Sequence, residues 1–438
     1  MNYREYIDKL IKEGPLLSIE KEVSVNIEAA AVLKAAEPLP LLFAKVKDYP
    51  DWRVVGNVFC TKQSIADYLG ISVDQLIPTL TNAIDNRSLP EEISSPPCQE
   101  VIMDEVDLDK LPILTHNEKD GGRYISSAVV ITKDPEFGQN LDFHRAMQLE
   151  KDRMSTRIIK GRDFYKFLER QGELEAAWCL GNTPNILVAA ATSVETGINE
   201  LEIANSLKPA KITKAYSVDL LIPAECEVVL EGKVYMEERA SEGPFIDLTE
   251  TYDVVREEPV FEVKKITHRN DPIWAALLPG ALEHKILMGM PREPTIYKKV
   301  NEAGVKCLDV SVNPGGSSWL HARVKIEKQN ENDGEKAIRA AFVGHRSCKH
   351  VFVVDKDIDI YNDLDVEWAM ATRFQFERGI VDMGKEPGSS LDPSAEPGTK
   401  ITNKIGFDFT APLIVKGKSF GRAEFPKVDL KEYIEKEE

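Results

Sequence analysis

The segment RASEGPFIDLTETYD, residues 239–253, has carboxylates in and beside an apolar turn. With the residue that precedes it, the segment contributes Glu238, Glu242, Asp247 and Glu250. A Glu-Gly-Pro-Phe run is an unusual setting for charged side chains, because apolar neighbours displace the water that stabilises a charge. Either these carboxylates are solvated loop charges, or one of them is held in a dry pocket and carries a proton during catalysis.

A second segment, GQNLDFHRAMQLEKDRM, offers groups that would complement such a carboxylate. Asn140 supplies a side-chain carbonyl, and Arg145 follows five residues later, after a strand signal. An arginine at the end of a strand can bind a carboxylate through two parallel hydrogen bonds. If Glu242 or Asp247 is that carboxylate, the two segments form one charged site in a dry core. A surface ion pair is the alternative, and it is the commoner arrangement.

Other motifs carry weaker chemical signals. Asp355, Asp357 and Asp359 alternate along VVDKDIDI and would share one side of an extended segment, where they could hold a hard cation. Charges at the end of a strand are more often solvated, and we favour that interpretation. The chain has no Walker or Rossmann glycine pattern, no GxSxG and no HExxH.

Composition excludes several classes of protein. The 438 residues carry a net charge of -18, which disfavours nucleic acids and anionic membranes as partners. No apolar run reaches the ~18 residues of a membrane span, and the N-terminal residues do not form a signal peptide. The six cysteines are widely spaced, as expected for buried thiols in a reducing compartment. We therefore expect a cytoplasmic protein.

The pattern of elements predicts three units. Residues 1–115 alternate helix and strand signals, which favours an α/β unit, and Thr61 and Gly70 are the predicted cap and stop of one helix. Strands dominate residues 116–300 and indicate a barrel or sandwich. Residues 301–438 return to an α/β pattern.

Three segments of the central unit receive specific assignments. NILVAAATSV, residues 185–194, reads as a strand. Residues 161–181 read as a helical insertion, and residues 199–207, NELEIANSL, read as a second helix.

Four motifs together resemble those of the UbiD-like decarboxylases, which use a prenylated flavin. They follow the family order and are THNEKDGGRYISSAVVITKDPEFGQNLDFHR, SEGPFIDLTETYD, VFVVDKDIDIYNDLDVEWAMATR and PGSSLDPSAEPGTKITNKIGFDFTAP. The resemblance covers nearly the whole chain. It implies an N-terminal α/β domain, a central split β-barrel like that of flavin reductases, and a C-terminal α/β domain.

The resemblance also implies roles for individual residues. Its catalytic arginine, glutamate and second acid match Arg145, Glu242 and Asp247. Desolvation against Pro244 and Phe245 would favour a protonated Glu242, whereas the arginine would favour its carboxylate.

Further matches concern the cofactor, prenylated FMN. The family's metal ligands match Asn140, Glu200 and Asp163, and its phosphate-contacting lysine matches Lys404. Together with Arg145, the residues Asn140, Glu200 and Lys404 are the predicted cofactor contacts. Manganese or magnesium is the implied divalent ion, with potassium as a further candidate.

Three departures from the family pattern alter the expected pocket. Asp163 stands where the family has a histidine ligand, and Asp247 is one methylene shorter than the usual glutamate. Ile246 and Glu250 occupy positions of two glycines, which suggests a bulkier wall.

The implied reaction is a reversible, non-oxidative decarboxylation of an α,β-unsaturated acid. The compact chain and altered loop favour the archaeal branch that acts on trans-anhydromevalonate 5-phosphate in isoprenoid biosynthesis. Its phosphate would need cations, for which His284, Lys285 and Arg292 are candidates. An aromatic or furan carboxylate is the alternative substrate. A flavin-binding, reductase-like barrel without decarboxylase activity is the alternative of another class. A flavin prenyltransferase would supply the cofactor, and a homo-oligomer is expected.

Overall fold

The computed structural model describes residues 1–414, 417, 419–423, 425–429 and 433. The last residues of the predicted C-terminal unit therefore lie outside the described residues. Among the helices of the described part, none combines the length and the apolar character needed to cross a membrane.

The first part of the chain alternates helices and short strands, as predicted. Its elements are α1 Tyr3–Glu13, β1 Leu17–Ile19, α2 Glu28–Ala36, β2 Leu41–Phe43, β3 Arg53–Gly56, α3 Lys62–Leu69 and α4 Leu76–Asp85. The predicted limits of α3 are confirmed: the Thr61 side chain accepts a hydrogen bond from the Ser64 N–H, and Gly70 ends the helix in the left-handed region.

Strands dominate the central part. Its elements are β4 Glu91–Glu92, β5 Val101–Ile102, β6 Tyr124–Ile125, β7 Val129–Asp134, β8 Gly138–Phe143, β9 Ala146–Gln148, β10 Arg153–Thr156, α5 Asp163–Gln171, β11 Glu173–Leu180, α6 Pro184–Ala191, α7 Glu200–Leu207, β12 Lys211–Lys214, β13 Leu221–Pro223, β14 Val228–Glu242, β15 Phe245–Ile246, β16 Tyr252–Asp253, β17 Arg256–His268 and β18 Ile273–Ala276.

A nine-stranded antiparallel sheet forms the centre of this part. Its path runs β6-β9-β10-β17-β14-β11-β7-β8, and β5 pairs with β17 beside it. The path ends at β6 and β8, which do not pair with each other, so the described strands do not close into a barrel. The long antiparallel pair β14 and β17 lies in the middle of this sheet. Trp178 and Phe261 stack across the sheet with ring centroids 3.9 Å apart.

Two sequence assignments in this part are wrong. Residues 184–191 form the helix α6 rather than a strand: Pro184 occupies its first turn, and every residue of the helix is buried, which hides the helical period. The helix predicted over residues 161–181 ends at Gly172, and Glu173–Leu180 form the strand β11. The predicted helix at residues 199–207 is confirmed as α7.

The last part is a mixed α/β unit. Its elements are α8 Leu282–Gly289, α9 Glu293–Glu302, β19 Lys306–Ser311, β20 His321–Glu327, α10 Asp333–Gly344, β21 His350–Asp355, α11 Asp363–Arg373, α12 Phe376–Gly379, β22 Ile380–Pro387 and β23 Ile401–Asp408. The five strands follow the order β19-β20-β21-β23-β22. Arg373 binds Asp355 and Asp357 at 2.6 Å each, so these aspartates neutralise a buried guanidinium.

One strand links the units across a long stretch of chain. The N-terminal sheet has the order β1-β2-β3-β18, and β18 is parallel to β3 from the pair Ile273 and Arg53 onward. The chain thus leaves the N-terminal sheet after β3, builds the central sheet, and returns to the N-terminal sheet before α8 begins.

Candidate active site

Two neighbouring features of the central part carry the predicted catalytic residues. Arg145 lies in the two-residue connection between β8 and β9. Glu242 is the last residue of β14, and the hairpin of β15 and β16 follows directly, with Asp247 just after β15. In that hairpin Phe245 pairs with Asp253. The sheet therefore brings an arginine from one edge region against a carboxylate-rich turn more than ninety residues later in the chain.

Arg145 is the centre of the cluster. Its Nε and Nη2 donate to the two carboxylate oxygens of Glu242 at 2.9 and 3.0 Å, which is the bidentate geometry predicted from the sequence. Nη1 donates to Asp247 at 3.1 Å, and Nη2 also donates to Asp253 at 3.0 Å. Burial lowers the pKa of Arg145, but the bond to Glu242 and the charges of the three acids outweigh burial and raise it. The guanidinium is therefore permanently charged.

Glu242 is fully enclosed, and Tyr124 holds it from the other side. The Tyr124 hydroxyl donates to Glu242 Oε1 at 3.1 Å and accepts from the Gly243 N–H at 2.9 Å. Its ring stacks on Phe245 with centroids 3.9 Å apart. Burial, and then the Glu242 charge, raise the pKa of Tyr124. The phenol consequently stays protonated and acts as a fixed donor.

Tyr124 and Asp253 are two residues of the cluster that the sequence did not predict. Both lie inside quoted motifs, but an isolated tyrosine and one more acid in an acidic loop give no signal by residue type. The spacing did hold a signal for Asp253, because a hairpin that closes around residues 247–250 places residue 253 opposite Phe245.

The turn of the hairpin is fixed by its backbone and by one ion pair. The Glu250 N–H donates to the Asp247 carbonyl at 2.8 Å, and Glu250 has a φ of +61°, a region that favours glycine. Its carboxylate binds Lys285 of α8. A Cβ on Gly280 would lie 2.8 Å from the Asp247 carbonyl oxygen, so only glycine permits this close approach.

A cavity of about 740 Å³ opens beside the cluster. This volume lies in the usual range of cofactor and substrate sites, roughly 300–1,000 Å³. Arg145 and Asp247 line it, together with Arg157, Lys160, Arg162 and residues of the C-terminal unit such as Trp319, whereas the fully buried Glu242 does not reach the wall and is bonded to Arg145, which does.

The three predicted metal ligands also line this cavity. Asn140 lies in β8, Asp163 begins α5, and Glu200 begins α7. Burial, with the charges of Asp142 and Asp163, raises the pKa of Glu200 to about 8 although the Leu141 N–H donates to it. A bound cation would offset the negative charge of these neighbouring carboxylates.

The oxygen atoms of Asn140, Asp163 and Glu200 are of the type that binds a hard cation, but these side chains are not arranged around a single ion position. The buried Asn140 Nδ2 has no hydrogen-bond partner. Asp163 instead accepts hydrogen bonds from Lys166 at 2.7 Å and Thr196 at 2.8 Å. Within the described residues, no group of three or more His, Cys, Asp or Glu side chains has the geometry to hold a metal ion.

Lys404 is not brought to the cavity. It lies in β23, and its Nζ donates to the Arg346 carbonyl at 2.5 Å, near the Phe342 ring. Of the three cations predicted to bind a substrate phosphate, His284 and Arg292 line the cavity, whereas Lys285 forms an ion pair with Glu250.

Comparison with known proteins places the chain in a family. Three consecutive family models match it, those of the N-terminal, Rift-related and C-terminal domains of 3-octaprenyl-4-hydroxybenzoate carboxy-lyase, at residues 7–84, 91–282 and 285–409. The chain belongs to the UbiD family of carboxy-lyases. The resemblance deduced from the four sequence motifs is thus confirmed.

Two archaeal relatives in this family carry the same name. Anhydromevalonate phosphate decarboxylase of Methanosarcina mazei is 39% identical, over 98% of this chain and 100% of its own length. The protein of that name from Methanocaldococcus jannaschii is 36% identical, over 97% and 99%.

Solved UbiD-class structures share the fold. The enzyme HmfF from Pelotomaculum thermopropionicum in complex with FMN has a TM-score of 0.95 and 34% identity, with 99% of this chain and 100% of that chain covered. An evolved dimeric form of HmfF in complex with prFMN, the prenylated flavin, has a TM-score of 0.91 and 33% identity, over 99% and 100%. The mixed α/β fold of this chain is therefore that of the UbiD-class enzymes.

Proposed function

We propose that this protein uses prenylated FMN to decarboxylate trans-anhydromevalonate 5-phosphate. The observation that carries this proposal is the Arg145–Glu242 pair, in which an arginine in the wall of a cofactor-sized cavity holds a fully buried carboxylate bidentately. The archaeal relatives named for anhydromevalonate phosphate support the choice of substrate. A reductase-like barrel that merely binds flavin would not need this enclosed pair.

The charges of the cluster suit a proton donor. Arg145 is bonded to Glu242, Asp247 and Asp253, so three acids face one guanidinium; among the described residues only Asp253 has further cations nearby, Arg256 at 2.6 Å and Arg157 at 3.9 Å. A proton held by one carboxyl relieves this excess of negative charge and makes room for the carboxylate of a substrate.

The residues divide the work as follows. Arg145 orients the substrate carboxylate and holds Glu242 in place. When bound, prenylated FMN supplies the electron sink for the carbanion that remains as CO₂ leaves. Glu242 gives its proton to the carbon that lost CO₂, and Asp247, which shares the Arg145 guanidinium with Glu242, tunes the pair electrostatically. A positioned acid of this kind contributes about 10²–10⁴ in rate.

The cofactor site is proposed on the same wall. Asn140, Glu200 and Asp163 would hold manganese or magnesium beside the cofactor phosphate, with Asp163 released from Lys166. The predicted contacts of Lys404 with that phosphate, and of a potassium ion with the site, stay predictions. A flavin prenyltransferase would supply the cofactor.

The architecture and setting complete the proposal. We infer three domains at the predicted bounds 1–115, 116–300 and 301–438, although β18 completes the N-terminal sheet and α9 packs on β19 of the C-terminal unit. The central domain is proposed as a split barrel whose described strands form the open path from β6 to β8. A homo-oligomer in the cytoplasm is also proposed, and the six buried, unpaired cysteines support a reducing compartment.

The test compares the wild type with Glu242→Gln after coexpression with a flavin prenyltransferase. We expect the wild type to release CO₂ from the phosphorylated acid, and the variant to bind the cofactor but lose at least about 10²-fold in kcat. Glu238→Gln is the matched control, because Glu238 lies on the same strand but binds Arg153 outside the cavity. Full turnover by Glu242→Gln with bound cofactor would show that the acid assignment is wrong.

A further inference from the structure

Arg292 is a buried cation in the cavity wall without an acidic partner. Its side chain is 9% exposed, and within the described residues it forms no salt bridge. Nη2 donates to the Ala191 carbonyl at 2.9 Å and Nη1 donates to the Ser193 hydroxyl. The buried Nε has no hydrogen-bond partner. A buried charge without an ionic partner lowers the stability of the folded protein, which indicates that Arg292 serves a purpose other than stability.

A second guanidinium converges on the same hydroxyl. Arg162 Nη1 donates to Ser193 Oγ at 3.5 Å, and both arginines line the cavity. Burial first, and then the charge of Arg162, lower the pKa of Arg292 to about 9. Two cations that share one neutral acceptor repel each other, and an anion between them would turn that repulsion into attraction. The bond of the Arg292 Nη2 to the Ala191 carbonyl is explained by capping of the last turn of α6. Capping does not explain why the buried Nε of Arg292 has no hydrogen-bond partner.

The two neighbouring cations of the segment are unsuited to this role. Lys285 is neutralised by Glu250, which lies on the hairpin. Burial lowers the pKa of His284 to about 4 despite the charge of Asp247, so His284 is neutral near pH 7. Of the three cations that the sequence offered for a phosphate, Arg292 is the one that is charged and has no acidic partner among the described residues; its guanidinium lies over the Trp319 ring, 5.1 Å from the centroid.

The spacing along the wall matches a molecule with an anion at each end. His284, Met288 and Arg292 line the cavity at intervals of four residues, which places them on one side of α8 and the turn that follows. At 1.5 Å per residue, His284 and Arg292 are about 12 Å apart along the axis. His284 lies at the Asp247 end, so Met288 gives an apolar stretch between the catalytic cluster and Arg292.

We propose that Arg292, supported by Arg162, binds the phosphate of the substrate and thereby selects a phosphorylated acid. This inference rests on the proposed function. The substrate carboxylate lies at Arg145, the hydrocarbon chain passes Met288, and the phosphate oxygens accept hydrogen bonds from the Arg292 guanidinium. The phosphate of the flavin is the other source of such an anion, and the experiment separates the two.

The experiment measures kcat/KM of wild type, Arg292→Met and Arg292→Lys for the phosphorylated acid and for the same acid without phosphate. We expect Arg292→Met to load the cofactor normally and to lose on the order of 10²-fold with the phosphorylated acid only. Arg292→Lys should recover part of this loss, because it keeps the charge. Arg339→Met, which alters an exposed arginine paired with Glu335, is the control.

A binding measurement provides a readout that does not depend on turnover. Inorganic phosphate should raise the Tm of the wild-type protein but not that of Arg292→Met, while the unliganded variant should be at least as stable as the wild type because an unpaired buried charge is gone. Equal losses with both acids, failure to load the flavin, or a phosphate effect that persists in Arg292→Met would overturn the inference. A wild type that binds phosphate through Arg292 but does not decarboxylate the acid would refute the proposed function alone.

Discussion

At the scale of single residues, the site depends on how a few polar groups share their hydrogen bonds. Arg145 donates to three acids, and Glu242 accepts from Arg145 and from Tyr124. Glu242 therefore has two donors that fix its position, and one of them, Tyr124, is itself held by the Gly243 N–H. Such a closed network keeps a proton donor in one orientation before substrate arrives.

Tyr124→Phe tests this network. Loss of the hydroxyl removes one donor from Glu242 and leaves the Gly243 N–H without its acceptor, so we expect the free energy of unfolding to fall by about 1–3 kcal/mol. The kcat should fall with little change in KM, because the ring still stacks on Phe245. Steady-state kinetics and urea unfolding measure both. A variant with unchanged kcat would mean that Arg145 alone positions Glu242.

Glu283 gives a prediction about pH. It is buried away from the catalytic cluster, where it accepts from the Phe59 N–H at 2.9 Å, and burial raises its pKa to about 7 from an ordinary 4.5. Between these values the unfolded chain releases the proton while the folded chain keeps it, so stability falls as pH rises from 4.5 to 7. The loss approaches about 3 kcal/mol.

Glu283→Gln keeps an acceptor for Phe59 but cannot ionise. We expect the variant to lose less stability than the wild type when thermal unfolding is compared at pH 5 and pH 8. Parallel changes in Tm for the two proteins would show that Glu283 does not titrate in this range.

The types and order of the residues predicted which residues form the site better than they predicted the contacts between those residues. The pairing of Arg145 with Glu242 and Asp247 was predicted, since these residues fall in motifs that are specific in combination. Tyr124 and Asp253 were missed because their contribution arises from a strand pairing and a ring stack, which have no short-range signature. Lys404 fits its motif, yet its Nζ binds a backbone carbonyl outside the cavity wall.

At the scale of elements, the hairpin of β15 and β16 positions two of the acids. Its only ion pair to α8 among the described residues joins Glu250 to Lys285. Glu250 and Asp247 close the same turn, since the Glu250 N–H donates to the Asp247 carbonyl, so we expect a change at Glu250 to move Asp247. The ion pair of Glu250 with Lys285 thus anchors this turn to α8.

A double-mutant cycle tests the anchor. We expect Glu250→Gln and Lys285→Gln each to lower kcat, and the double variant to be no worse than either, with a coupling of about 0.5–3 kcal/mol in activation free energy. Glu250→Gln should also lower stability, because it leaves the buried Lys285 without its acidic partner. Glu257→Gln is the control, because the Glu257 side chain accepts a hydrogen bond from Ser241 on β14 and forms no salt bridge among the described residues. Additive losses would show that the two residues act separately.

The elements also show where local pattern fails. The helix α3 was predicted with both limits, because its cap and stop are encoded by Thr61 and Gly70 themselves. The helix α6 was mistaken for a strand because it is buried on every side, and burial removes the polar face by which a helix is recognised. The strand β11 was merged with α5 because Gly172 reads as a tolerated break.

At the scale of the whole molecule, the cavity is built jointly by the central and C-terminal units. Residues as distant as Asn140 and Lys400 line it. A ligand that fills it should therefore stabilise both units together.

Flavin binding tests this expectation. We expect saturating FMN with manganese to raise the Tm of the wild-type protein, by an amount that corresponds to about 2.7 kcal/mol at 100 times Kd. Asn140→Ala should lose the manganese-dependent part and retain the rest. Calorimetry follows both, and the Lys298–Asp85 surface pair offers a control in Lys298→Ala. A manganese effect that survives in Asn140→Ala would remove this residue from the proposed ligand set.

The strand β18 bears on how the chain is made. Because β18 completes the N-terminal sheet beside β3, that sheet is unfinished until residue 276 has left the ribosome, some 220 residues after β3. At a synthesis rate of about 5–20 residues per second, the edge of β3 stays without its partner β18 for at least about ten seconds. During that interval the central sheet is synthesised and can fold, so the N-terminal unit is the first to begin synthesis but not the first to be finished.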